Sequence, residues 1–384
     1  MKTRKSRPDL YAVDGVNIKA GDSFSAICGE ICRSTYELSP WVTVEDMSQG
    51  HFRGPRGFRF KSDGTTFQMG AADGIGTKVI LIDSAGVHLE GAANLIAMTF
   101  GDITRYGGLP LVFMNVLDAS SIGELVTKRF SSFVHLMKGL GDLAHVHKFV
   151  LLGGETAELG VCVGSENPEA TTKFNWAGFA LGIGRQDRMI TGEGLRPGQI
   201  VIALREHGFR SNGISAVRKA LALKFGHEWY YNGEASKAIN AAAAPSIIYD
   251  TFLATANGWD KWGRYIPMHY IAHLSGGAIQ SKFGEDGLFP RGLSADLPKL
   301  WTPPRIMRDC ARWRGFNDED CYTTWNGGQG ALVVVDEKDQ HRFIALAKGF
   351  GIGAKPAGTI VRRRKPSIRI KSQFTGKTFE LNPD

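Results

Sequence analysis

Apolar positions along the chain follow two spacings, and the changes between them mark the elements. Between 21 and 36, Phe24, Ile27, Cys28, Ile31 and Cys32 fall three and four apart, the spacing of one helical face. The clearest stripe runs over 122–143, where Ile122, Leu125, Val126, Phe130, Phe133, Val134, Met137, Leu140 and Leu143 predict a second helix. Another is predicted over 90–106. Compact apolar runs at 111–117, 149–152 and 174–183 predict buried strands. Strand pieces at 68–71 and 79–82 flank a glycine turn, and 39–65 reads as a long loop with one short strand.

A polar, glycine-rich stretch at 184–198 then interrupts the pattern, and a domain boundary is expected near 186. The second half restarts with a strand at 200–204 and a helix at 212–224. Two helices follow within 234–258, split at Pro245, and a strand ends at His273-Leu274. Gly276-Gly277 opens another helix, and 284–304, with four prolines, reads as loop. A helix at 304–313, a strand at 331–335, a helix at 338–349 and a strand near 356–362 complete the series. This order predicts an α+β fold of two domains, 21–186 and 187–361, between an N-terminal segment 1–20 and a basic C-terminal tail 362–384.

Composition narrows the function classes. Of 384 residues, 43% are hydrophobic, enough for a core, and 48 glycines lack the three-residue period of a triple helix. No apolar run reaches the roughly 20 residues of a membrane helix. The net charge of +8 concentrates at the ends: Lys2, Arg4, Lys5 and Arg7, then Arg362-Arg363-Arg364-Lys365, Arg369, Lys371 and Lys377. Basic ends are the usual form of solvated tails, and no nucleic-acid signature accompanies them. Five cysteines without a CxxC pair point to reduced thiols, and no apolar segment follows the basic N-terminus as in a secretory signal. A cytoplasmic enzyme is expected.

The densest chemistry lies at Asp73-Gly74-Ile75-Gly76-Thr77-Lys78. Glycines let backbone N–H groups approach an anion, Thr77 offers a hydroxyl, Lys78 a positive charge, and Asp73 a carboxylate suited to Mg²⁺. A structural hairpin would use the same glycines. Asp102 sits in an otherwise apolar helical stretch, where a carboxylate costs free energy unless it is paired or solvated. Gly153-Gly154-Glu155-Thr156-Ala157-Glu158 follows a strand, where Glu155 and Glu158 can bind metal or cap a helix. Together the three acidic segments look like a Mg²⁺–nucleotide site. In the second half, Arg210-Ser211-Asn212-Gly213 can hold a phosphate or cap a helix, and His273-Leu274-Ser275-Gly276-Gly277 offers a second cradle with His273 as an acid–base group. Trp325-Asn326-Gly327-Gly328-Gln329-Gly330 is a third glycine turn.

These motifs stand in the order and spacing of a known family. Tyr11, Asp14-Gly15-Val16-Asn17-Ile18 and Gly21, then DGIGTK (73–78), GD (101–102), GGETAE (153–158), RSNG (210–213), HLSGG (273–277) and WNGGQG (325–330) resemble the phosphoribosylformylglycinamidine cyclo-ligase family over roughly 11–361. The wider superfamily includes selenophosphate synthetase and thiamine-monophosphate kinase. The resemblance implies a homodimer whose N-terminal sheets pair into a barrel-like core, with a C-terminal mixed α/β sandwich domain. It implies ATP and Mg²⁺, with Asp73, Asp102 and Glu155 toward the metal. Gly74, Gly76, Thr77, Lys78, Gly153 and Gly154 would line the nucleotide site. Arg210, Ser211, Asn212, Gly213, Ser275 and Gly276 would face a ribonucleotide substrate, and Asp73, Asp102 and His273 would serve catalysis. The implied reaction phosphorylates the formyl amide oxygen of formylglycinamidine ribonucleotide, then closes the imidazole ring.

The sequence departs from the family at four places. Tyr-Ala-Val-Asp-Gly-Val-Asn stands for Tyr-Lys-Asp-Ala-Gly-Val-Asp, Gly101 for an Asn, Arg210 for a His, and 325–331 for Phe-Asn-Cys-Gly-Val-Gly-Met. Two other readings therefore stay open: a paralogue phosphorylating another small amide or amine, and a nucleotide-binding module without turnover.

Overall fold

In the computed structural model, which describes residues 18–46, 56–61, 64–260 and 265–383, the chain builds two open sheets and a hairpin. The first described helix is α1 (Ile18–Arg33), with Phe24, Cys28 and Cys32 on its buried stripe. Next comes the hairpin β1 (Val42–Asp46) and β2 (Arg56–Phe60), in the region expected to hold one short strand. Lys61 N–H donates to the Trp41 carbonyl (2.8 Å), pinning the end of the hairpin to its start.

The four-stranded sheet contains β3 (Thr66–Gly74), β4 (Leu109–Ala119), β5 (Val150–Glu158) and β6 (Phe174–Arg185), in the order β3-β6-β4-β5. Alternation along the strands separates its faces. One face carries Phe113 and Leu117 of β4 and Phe174, Trp176 and Ala180 of β6, all buried under α3 (His88–Thr104) and α4 (Lys128–His147). Each of the buried Phe and Leu side chains contributes about 1.5–3 kcal/mol on burial. The other face carries Val116 and Phe179, which are 44% and 41% exposed. The run at 79–82 is helix α2 (Lys78–Ala85) rather than a strand. Gly76, at φ 52°, turns the chain out of β3. Lys78, Ile80, Leu81 and Ile82 are all buried, so the short apolar run carries no period to tell helix from strand.

The seven-stranded sheet lies wholly beyond residue 186. Its strands are β7 (Ile200–Arg205), β8 (Met268–His273), β9 (Ser294–Leu297), β10 (Gln329–Val335), β11 (Ala354–Val361), β12 (Ile368–Lys371) and β13 (Thr378–Leu381), ordered β13-β12-β9-β11-β7-β10-β8. Leu332 and Val334 of β10 pack toward α5 (Ile214–Phe225), α6 (Ser236–Ala242), α8 (Arg305–Arg314) and α9 (Asp318–Thr324). Val333 and Val335 pack toward α7 (Asp250–Ala256) and α10 (Gln340–Gly349). Two expectations are corrected here. The loop-like 284–304 contains β9, whose four residues are too short to show alternation. The basic tail is no tail: β12 runs parallel to β9 and pairs with β13. Ile368, Ile370 and Leu381 are buried, while Arg363 pairs with Asp296 and Arg369 with Glu380.

A polar seam joins the two halves. Lys78 Nζ donates to Asn94 Oδ1 (2.6 Å) and to the Ala244 carbonyl (2.8 Å). Ser246 donates from its N–H and its hydroxyl to Asn94 Oδ1. Thr104 Oγ1 bonds the buried Asp250 carboxyl, and Asn257 and Trp259 both donate to the Gly107 carbonyl (2.8 Å each).

Candidate functional site

Asp73 ends the inner face of β3, and Asp102 lies in the last turns of α3 above it. Asp73 feels the charge of Asp102. Burial raises the pKa of Asp73, its Gly74 N–H bond (2.7 Å) lowers it, Asp102 raises it again and Lys282 lowers it. Burial also raises Asp102, against the lowering effects of Arg105 and Lys282. Arg105 Nε stands 3.6 Å from the Asp102 carboxylate. Lys282 comes from the other half of the chain, on a π-helical segment, Gln280–Leu288, where it pairs with Asp286 (3.4 Å). An acid pair of one domain thus faces a cation of the other.

Both second-half loops reach this place. Met98 lies one helical turn before Asp102 on α3, and Asn212 Nδ2 approaches its sulfur at 3.6 Å. A Cβ placed at Gly276 would lie 3.5 Å from Asn212 Oδ1, so loops 210–213 and 273–277 meet beside α3. Ser211 Oγ is buried with no hydrogen-bond partner, a polar group left for a ligand. Gly213, at φ 68°, has no room for a side chain beside Trp325, whose Nε1 donates to its carbonyl (3.1 Å). The 325–330 turn therefore supports loop 210–213 from behind. Gly74 is half-buried, while Gly76 and Thr77 are exposed at the end of β3, and Ser275 is half-buried.

Three expected site residues are placed elsewhere. Lys78 does not reach the cleft: it is fully buried in the seam, where burial pushes its pKa down to about 7. Arg210 is 1% exposed and clamps four partners: Glu206 Oε2 (3.0 Å), the Ala97 and Ile247 carbonyls and His273 Nε2 (2.5 Å). It holds the halves together rather than facing substrate. His273 accepts that bond at Nε2, so its proton sits on Nδ1, which is buried without a partner. Burial first, then Arg210, holds the ring well below the usual histidine range. The acid–base role expected of His273 is corrected by this placement.

The third acidic segment lies apart. The sequence motif 153–158 falls inside β5 rather than in a loop after it. Gly153 is buried, and a side chain at Gly154 would strike Asn115, so Gly154 admits the close approach of β4. Glu155 is exposed on the uncovered face, level with Val116, Ala177 and Gly74 across the sheet. Three strand steps, roughly 14 Å, separate it from β3. Glu158 instead accepts from Ile122 N–H (2.8 Å) and Ser121 Oγ (3.1 Å). Among the described residues no three His, Cys, Asp or Glu side chains form a metal-holding group. The segment 11–17 lies outside the described residues. Sequence reasoning missed Lys282, Arg105 and Met98; only the four-residue spacing of Lys282 and Asp286 hinted at an ordered pair.

Family models match both halves: AIR synthase related protein, N-terminal domain, over 61–183, and C-terminal domain over 196–371. The chain belongs to the AIR synthase related family. Among similar curated proteins are phosphoribosylformylglycinamidine cyclo-ligases from Prochlorococcus marinus and Pseudothermotoga lettingae. The first is 27% identical over 93% of this chain and 97% of its own. The second is 28% identical over 93% and 98%. Solved structures share the fold: thiamine-monophosphate kinase from Stenotrophomonas maltophilia has a TM-score of 0.59 at 11% identity, covering 89% of this chain and 95% of that one. Hydrogenase maturation protein HypE in complex with ATP has a TM-score of 0.56 at 13% identity, covering 84% and 87%. No helix among the described residues is long and apolar enough to cross a membrane.

Proposed function

We propose that this family member is an ATP-dependent ligase that converts formylglycinamidine ribonucleotide to aminoimidazole ribonucleotide, ADP and phosphate, as the names of its near-full-length relatives indicate. The observation that carries the reading is the Asp73–Asp102 pair set against Lys282, beside loops 210–213 and 273–277. Mg²⁺ fits this donor set, because it is commonly held by one or two carboxylates and completed by phosphates and water. Bound there, it would neutralise charge on the triphosphate.

The chain's own groups then divide the work. Gly76 and Thr77 offer backbone N–H groups and a hydroxyl to phosphate oxygens, while the Gly74 N–H holds the Asp73 carboxylate. Lys282 supplies positive charge where it builds on the transferred phosphoryl group. Ser211 Oγ and Asn212 hold the ribonucleotide, folding its amine toward the activated carbon so that ring closure is intramolecular. Phosphorylation of the amide oxygen turns a poor leaving group into phosphate, which departs as the C–N bond forms.

The uncovered sheet face, with Val116 and Phe179 exposed, is proposed to pack on a second copy, giving a homodimer. Glu155 lies on that face and would serve a site shared between the copies. Mass spectrometry of product from formylglycinamidine ribonucleotide, ATP and Mg²⁺ tests the reaction. Stoichiometric aminoimidazole ribonucleotide and ADP are expected. ADP release only with some other amide or amine would transfer the fold to a paralogous activity.

A further inference from the structure

A cavity of about 490 Å³ opens on the far side of α3, between the two halves of the chain. Leu109–Leu111 of β4 border it, four to six residues before Asn115, which is level with Asp73 across the sheet. That puts it roughly 13–20 Å along the strands from the acid pair. Its volume lies within the range of small-molecule sites. Phe100, Leu111 and Ala254 give it apolar walls. Trp41 and Trp259 also line it, edge to face with ring centres 6.0 Å apart.

Polar groups also line it. His147 Nδ1 shares a hydrogen bond with Thr251 Oγ1 (2.7 Å), and burial keeps the imidazole neutral, its pKa down at about 4. Lys61 and Lys148 line the cavity and are exposed, which places its mouth on their side.

We propose that this cavity is a second ligand site, built for a planar heteroaromatic molecule of nucleobase or nucleoside size. An aliphatic ligand would use the walls but not the indoles or the imidazole. A nucleobase uses all three: its faces match aromatic side chains, and its ring edge carries donors and acceptors for a neutral His and a threonine hydroxyl. Trp41, Phe100 and Lys148 come from the first half of the chain and Thr251, Ala254 and Trp259 from the second, so the ligand bridges the halves and stabilises the fold by mass action. The site stands whether or not the cyclo-ligase reading holds.

Isothermal titration of the full chain with adenosine and with inosine tests it; neither carries a phosphate for the acid pair. Saturable binding at one site per chain is expected, with a rise in melting temperature. Ala254→Phe fills the cavity and should weaken binding about tenfold or more, near 1.4 kcal/mol. Trp41→Ala, at a half-buried position, repeats the test without loading the core. Asp73→Asn should bind both nucleosides as tightly as the parent chain. Absence of saturable binding up to the solubility of both nucleosides overturns the proposal. So does binding that Ala254→Phe and Trp41→Ala both leave intact, which would place the nucleoside outside this cavity.

Discussion

Asp73 is held at a cost. Burial and the neighbouring Asp102 raise its pKa, so the fold disfavours the ionised form that a bound cation needs. Asp73→Asn removes that penalty. Acceptor-dependent ADP formation should fall by at least about a hundredfold, while the melting temperature stays level or rises slightly in a calorimetric scan. Turnover unchanged by the substitution would remove the metal role. His147 gives a pH signature of its own. Its pKa falls from 6.5 to about 4 on folding because of burial. The unfolded chain therefore binds more protons between these values, and stability drops as pH falls through that window, by up to about 3 kcal/mol. His147→Gln should flatten the dependence of melting temperature on pH between 6.5 and 4 relative to the parent chain. Two family departures also become one at this scale. A side chain at Gly101 would strike the His273 ring, and that ring is bonded to Arg210. Gly101 and Arg210 are thus a coupled change in packing, away from the face where Asn212 and Gly276 meet.

Among the elements, those with a long unbroken period were legible and the short ones were not. The stripe through Phe130, Phe133, Met137 and Leu140 names α4, and the run through 111–117 names β4. α2 was hidden because its buried residues, Lys78, Ile80, Leu81 and Ile82, fall on every side of its first turn, and β9 because four residues hold too little pattern. β12 was hidden by charge: Arg369 and Lys371 alternate with Ile368 and Ile370, and the basic residues drew attention from the period of two. Ile370→Ala decides between a strand and a loose tail. It should cost about 2–5 kcal/mol in urea unfolding, where a solvated tail would show almost none. The site followed the same logic. Asp73 and Asp102 were legible as acids beside glycines, whereas Lys282 was not, since only the packing of the π-helical segment brings it near them.

At the scale of the whole molecule, the uncovered sheet face is the surface proposed to meet a second copy. Phe179 and Val116 stand on adjacent strands of that face, with Glu155 beside Val116. Phe179→Glu should convert a dimer to a monomer in sedimentation equilibrium and reduce activity with it; a parent chain already monomeric at working concentration would exclude the shared site. The seam of Lys78, Asn94, Ser246 and Arg210 has a different reach. Its donors and acceptors are divided between the halves, so parting them would break these bonds together and open the apolar surface around them to water. The two lobes consequently melt as one cooperative body, and a gene cut near residue 190 would yield fragments that recover their shape only when made together.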